Sequence, residues 1–293
     1  MLKLPTLQEL LEAGVHFGHQ VRRGHPRMKP YIYGAREGVH IIDLTQSEKF
    51  LKEACDFLYN LGKMDKSLLI VGTKKQARGI IEELAERVES PFLTERWIGG
   101  FLTNFDEIKK NIKKLTEFNE QRQKGELSKY TKKEQLLLGR KIAKFERDLR
   151  GVVNLVTLPD AILVADAVTD QLAVKEASRM GIKVVAVADS NCDPTMIDYP
   201  VPGNDDAIKS IKILMEALVG AYEEGRKEAG KIKVAVEKKE AEEIFDRAYK
   251  TYSMFWALRL KLIDTSGFKK ATVSEKPWTF KDIVEKLVDC CDE

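Results

Sequence analysis

All four histidines of the chain fall between positions 16 and 40, at His16, His19, His25 and His40. They sit in the run His16-Phe-Gly-His-Gln-Val-Arg-Arg-Gly-His-Pro-Arg-Met-Lys-Pro-Tyr-Ile-Tyr-Gly34, where Arg22, Arg23, Arg27 and Lys29 interleave with Phe17, Tyr31 and Tyr33. Guanidinium groups take phosphate oxygens in pairs, and aromatic faces stack on unpaired bases, so this arm has the chemistry of a nucleic-acid contact. Pro26 and Pro30 stiffen it and disfavour helix. His16 and His19 also have the HxxH spacing of a metal pair, a weak signal on an extended or turn segment.

Two further stretches fit an anion. Gly72-Thr-Lys-Lys-Gln-Ala77 follows an apolar run and opens a helical one, where an α/β fold offers backbone N–H groups to phosphate. Lys74 and Lys75 would strengthen it. Neither GxxxxGK[ST] nor GxGxxG occurs, so RNA phosphate fits better than a nucleotide cofactor. The alternative is a well-capped surface helix. In Arg96-Trp-Ile-Gly-Gly-Phe-Leu-Thr-Asn104, Arg96 and Trp97 could lie against a ribose-phosphate chain, although Trp97 also suits a core.

An acidic group of the opposite kind lies further on, in Asp189-Ser-Asn-Cys-Asp193-Pro and Gly203-Asn-Asp-Asp206. Asp189 follows a parallel-strand run, where open α/β sheets place their sites. Asp189, Asp193 and Asp206, with His19 as an extra ligand, could converge on a divalent ion, Mg or Zn; the alternative is turn and helix capping. No nucleophile elbow, HExxH helix or acid/base pair is present, which leaves catalysis little support and implies no required cofactor. Cys55, Cys192, Cys290 and Cys291 form no CxxC pair and read as free thiols of a reducing, cytoplasmic compartment.

The elements that must position these residues alternate in type. Val39–Asp43, Leu68–Val71, a short run near Phe92, Ala161–Val164 and Lys183–Val187 are apolar throughout, as in a parallel sheet buried on both faces. Helical patterns fall near 45–62, 74–89, 169–180 and 205–224, with Asn60-Leu-Gly62 and Met180-Gly181 as stops. This predicts a doubly wound α/β/α sandwich. Between residues 105 and 150, Ile108, Ile112 and Leu115, then Leu138, Ile142, Phe145 and Leu149, recur at helical spacing around a turn at Gly125. That predicts a protruding coiled-coil hairpin inserted in a body of residues 1–104 and 151–226.

Of 293 residues, 43% are hydrophobic and 32% charged, so a core can form under a charged surface. No apolar stretch approaches the roughly 20 residues of a membrane helix. The net charge of +3 is unevenly spread: +3 over residues 1–40, +6 over 105–150 and −7 over 151–225. A basic pole on a folded body points to a polyanion rather than a small-molecule substrate. Residues 227–293 read as a helical extension after a linker at Gly225–Lys233, with Phe255 and Trp256 on one face as a protein-docking surface.

The runs Ala13-Gly-Val-His-Phe-Gly-His-Gln20, Met28-Lys-Pro30, Gly34-Ala-Arg36, Val39-His-Ile-Ile-Asp43, Val71-Gly-Thr-Lys74, Arg96-Trp-Ile-Gly-Gly100, Leu102-Thr-Asn104, Leu158-Pro-Asp160 and Pro202-Gly-Asn-Asp-Asp-Ala-Ile208 resemble the bacterial small-subunit ribosomal protein S-two family over roughly residues 1–226. The resemblance implies a flavodoxin-like sandwich with a helical hairpin, bound to 16S ribosomal RNA between head and body of the small subunit. It also implies a role in seating the large S-one protein, and sometimes a divalent ion. By position it puts Arg22, Arg23, Arg27, Lys29, Thr73, Lys74, Arg96 and the hairpin lysines (Lys109, Lys110 and Lys113 on its first helix) near RNA. It adds no catalytic residue. The remaining alternative is a Mg-dependent α/β enzyme or small-ligand binder using the acidic strand ends.

Overall fold

The computed structural model describes residues 4–123 and 132–231. Five parallel strands form the central sheet: β4 (Leu68–Val71), β5 (Phe92–Leu93), β6 (Ala161–Val164), β7 (Lys183–Ala188) and β8 (Tyr199–Pro202), in spatial order β5-β4-β6-β7-β8. Counted within the sheet this is order 2-1-3-4-5, the flavodoxin-like winding, with its switch point between β4 and β6. Every residue of β4 and β6 is buried. Alternate side chains serve opposite layers: Leu68 and Ile70 pack into one core, Leu69 and Val71 into the other. The first layer is filled by α2 (Leu44–Lys63), α3 (Arg78–Arg87) and a last helix, α7, over 208–231. The second holds α6 (Gln171–Met180), the 97–105 loop and the near ends of α4 (Phe105–Gln123) and α5 (Lys132–Leu149).

Three expectations change. Val39–Ile42 is a strand, β3, but it lies outside the parallel sheet. It forms the centre of an antiparallel sheet with β1 (Phe17–Gln20) and β2 (Ile32–Arg36). A hairpin turn at Glu37-Gly38, both left-handed with φ of 52° and 78°, returns β2 onto β3 and accounts for the pairing. The proline-bearing stretch is also helical in part, because Pro26 starts a short 3-10 turn over Pro26–Tyr31 where its missing N–H costs nothing. Finally, the stretch from Gly225 is no linker within the described residues, since α7 runs unbroken to 231. Gly62 and Gly225 are packing glycines rather than helix stops: a Cβ at Gly62 would fall on the Tyr222 carbonyl oxygen, and one at Gly225 on that of Tyr59. Their absence of side chain lets α2 and α7 touch backbone to backbone.

Met180-Gly181 does end α6, with Gly181 left-handed at φ 71°. Helices α4 and α5 lie against each other. Ile108, Ile112, Leu115 and Leu149 are buried in the body's second core, so the base of this helical pair is built into the sandwich. Gly125 and the hairpin tip, like Phe255, Trp256, Cys290 and Cys291, lie outside the described residues. No helix among the described residues is long and apolar enough to cross a membrane. Cys55 and Cys192 are buried free thiols, each pushed up to about 12 chiefly by burial, and so inert.

Candidate nucleic-acid interface

The N-terminal arm is fastened to the body at the carboxyl ends of β7 and β8. The His19 N–H donates to Ser190 Oγ at 2.8 Å and the His25 N–H to the Ser190 carbonyl at 2.8 Å. The Asn204 N–H donates to the Val15 carbonyl at 3.1 Å, and its side-chain amide to the Gly14 carbonyl at 3.1 Å. Gly18 has no room for a Cβ, which would stand 2.8 Å from Ser190 Oγ. The arm is therefore a fixed surface, pinned by groups that are buried and directional.

That surface is cationic. Arg22, Arg23, Arg27 and Lys29 are all exposed. Arg22 Nε donates to Gln20 Oε1 at 2.9 Å, which orients its guanidinium. Arg27 is engaged differently: its Nη1 donates to both oxygens of Asp193, at 3.1 and 2.9 Å, and to Thr195 Oγ1. The Thr195 hydroxyl, then its N–H and Arg27, hold the Asp193 carboxyl down at about 2. Lys75 and Arg96 are exposed beyond β4 and β5 respectively. On α4, Lys109, Lys110 and Lys113 are exposed; Lys109 lies 5.0 Å over the Phe105 ring, and Lys110 pairs with Glu107 at 3.0 Å.

The switch point is occupied by the protein's own charges. Asp170 Oδ2 accepts from the Thr73 N–H at 3.1 Å and Oδ1 from its hydroxyl at 2.8 Å, filling the place where this fold would offer that N–H to a phosphate. Lys74 Nζ stands 3.2 Å from Asp166, 2.7 Å from Asp205 and 2.8 Å from Asp206. Thr73 and Lys74 were expected to face RNA; the structure turns both inward onto carboxylates. Burial opposes the Lys74 charge, but Asp205 and Asp206 outweigh it and raise its pKa. Asp205 is itself pushed up to about 7 by burial and by Asp166 and Asp189, against the pull of Lys74.

The expected metal set also changes membership. His19 Nδ1 lies 3.0 Å from Asp189 Oδ2 and Nε2 lies 3.5 Å from Asp206 Oδ2, and its hydrogen bond to Asp189 raises its pKa. Asp193 is drawn away by Arg27, and Asp205 takes its place: one ligand atom each of His19, Asp205 and Asp206 lie within 4.8 Å of one another. One imidazole and two carboxylates suit a divalent ion, but the Lys74 ammonium already stands against both carboxylates, so an ion would enter by displacing it. Asp205 belongs to the acidic run Gly203–Asp206 already singled out in the sequence, whereas Asp166 escaped sequence reasoning; the signal was there, since Asp166 follows the apolar run Ala161–Val164 as Asp189 follows the next one. Cavities of about 330 and 350 Å³ lie elsewhere, one lined by Phe92, Arg147 and Arg150, the other by Phe105, Lys109 and Met180. Neither is lined by these carboxylates.

The sequence agrees with one set of known proteins. The family described as Ribosomal protein S2 matches residues 10–225. The small ribosomal subunit protein uS2 of a Nitratiruptor species is 47% identical over 221 residues, covering 75% of this chain and 83% of the relative. Its namesake in Solidesulfovibrio magneticus is 42% identical over 238 residues, 81% and 92% of the two chains. The uS2c protein of Mesostigma viride is 45% identical over 226 residues, 77% of this chain and 99% of its own length. Arm, sheet and α4–α5 pair all fall inside the matched span, and the chain belongs to the ribosomal protein S2 family.

Proposed function

We propose that this protein is a structural constituent of the small ribosomal subunit that binds 16S ribosomal RNA through its pinned arm, between head and body of the subunit, and helps seat the S-one protein. The observation that carries this is the family match running through arm and sandwich together, with Arg22, Arg23 and Lys29 exposed on a surface the body holds rigid. Lys75, Arg96 and the α4 lysines extend the cationic surface; Thr73 and Lys74 act from beneath it. The work is binding and scaffolding, in the cytoplasm as part of the particle, with no bond made or broken. The strand-end carboxylates, which an enzyme would need, are spent on Lys74, Thr73 and His19. A divalent ion at His19, Asp205 and Asp206 is optional in this reading, since Lys74 supplies the compensating charge.

Phosphate contacts release counterions, so log affinity for 16S RNA falls with log salt by about 0.7 to 0.9 per contact. Replacing Arg22 and Arg23 together with Ala should lower that slope by about 1.4 to 1.8 while the unfolding midpoint stays put. An affinity indifferent to salt would overturn the reading.

A further inference from the structure

We propose that Tyr33 is a stacking platform for an unpaired RNA base, flanked by guanidinium groups that hold the adjoining phosphates. This rests on the RNA-binding reading above and adds a contact that charge alone does not supply.

Tyr33 is 82% exposed, more than any other large hydrophobic side chain among the described residues. Its neighbour in sequence behaves otherwise: Tyr31 packs edge-on against Phe50 at 5.2 Å. The difference comes from the pairing register. Ile32 pairs with Ile42 and Gly34 with Ile41, so Tyr33 is the extra residue of a β-bulge. A bulge re-aims its side chain and leaves the residue out of the ladder. Strand β2 is moreover an edge of its sheet, and a Cβ at Gly34 or Gly38 would meet no atom within 4 Å. The phenol ring thus stands beside open space on a rigid hairpin.

The surroundings select the occupant. The Val21 N–H donates to the Gly38 carbonyl at 3.0 Å, which docks the turn bearing Arg22 and Arg23 onto the tip of the hairpin. Arg36, on the same hairpin, has a side chain 83% exposed and meets Glu37 only at 3.9 Å. A hairpin that carries an open aromatic ring and Arg36, with the Arg22–Arg23 turn docked on its tip, complements a ligand that is planar and anionic at once. In a duplex the base faces are hidden by their neighbours, so the ligand is a nucleotide in a loop, bulge or strand end.

The test uses the full chain and protein-free 16S RNA, with Tyr33→Phe, Tyr33→Trp, Tyr33→Leu and Tyr33→Ala compared across a salt series. Stacking on one base predicts that Ala weakens binding about tenfold, that Leu falls close to Ala, and that Phe and Trp stay near the parent. The salt slope should be the same for all five proteins, because a lost stack releases no counterions. The thermal midpoint of Tyr33→Ala should match the parent, as the ring buries almost nothing. Unchanged affinity in Tyr33→Ala, or full affinity in Tyr33→Leu, would overturn the proposal while leaving the RNA reading intact. A loss seen only on assembled subunits, with bare RNA bound normally, would overturn it in favour of a protein neighbour. Failure of the parent protein to bind RNA would remove both.

Discussion

Lys74 stands against three carboxylates at the switch point, and only one of them, Asp206, is exposed. Removing its ammonium strips Asp166 and Asp205 of their cation. Asp205, already pushed up to about 7, then takes up a proton at neutral pH, while Asp166 stays a buried charge without its cation. Breaking a buried pairing of this kind typically costs about 3–5 kcal/mol. Lys74→Met should therefore unfold at lower urea than the parent. Millimolar Mg²⁺ should restore part of the loss, and a chelator should abolish the restoration; equal Mg²⁺ response in both proteins would show that Lys74 does not stand in for a cation. Asp170 makes a second case. Burial raises its pKa from 3.8 to about 6, against two hydrogen bonds from Thr73. A carboxyl raised in the folded state adds stability below its unfolded value and loses it as pH rises through the folded one. Asp170→Asn keeps both Thr73 contacts, with the amide donating to the hydroxyl, and never ionises. It should match the parent near pH 4 and exceed it above pH 6, by on the order of 2 kcal/mol. Thermal melts across that range check the crossover.

At the scale of an element, the 97–104 loop is held by one side chain. The Glu176 carboxylate accepts from Trp97 Nε1 at 3.1 Å and from the N–H groups of Gly100 at 2.8 Å, Leu102 at 3.0 Å and Thr103 at 3.3 Å. Burial would raise its pKa, but these donors outweigh it and hold the group below the usual range. The stabilisation is present above the unfolded value and lost as pH falls through the folded one. Glu176→Gln turns a nest of donors onto an amide that is itself half donor, at a cost of about 2–4 kcal/mol near neutrality. Hydrogen exchange at Gly100 and Leu102 should quicken first, and the gap to the parent should narrow in acid. Nothing in the sequence marks Glu176, because its partners, one indole and three backbone N–H groups, lie 73 to 79 positions away. The apolar runs at 68–71, 161–164 and 184–187 did announce the sheet, and their uniform burial explains why. Strand β8 was silent because Pro200 and Pro202 read as breakers, although an edge strand tolerates both. Arg22 and Arg23 were legible from composition; the inward turn of Thr73 and Lys74 was not, since it depends on Asp166, Asp170 and Asp205 arriving from other strand ends.

Across the whole molecule, the two signs of charge are segregated for a reason the structure supplies. The acidic stretch 151–225 contributes Asp189, Asp193, Asn204 and Asp205, which anchor the basic arm or neutralise the charge beneath it, and the arm in turn presents its remaining cations outward. One outcome of this layout concerns biosynthesis. The arm leaves the ribosome tunnel first, yet its fasteners Ser190 and Asn204 are made some 170 to 190 residues later. Until then the arm lacks the groups that fix its shape. On the RNA-binding reading proposed above, selective gripping is deferred until translation of the sandwich is nearly finished, so an aborted or misfolded product lacks the means to occupy the place of a sound one.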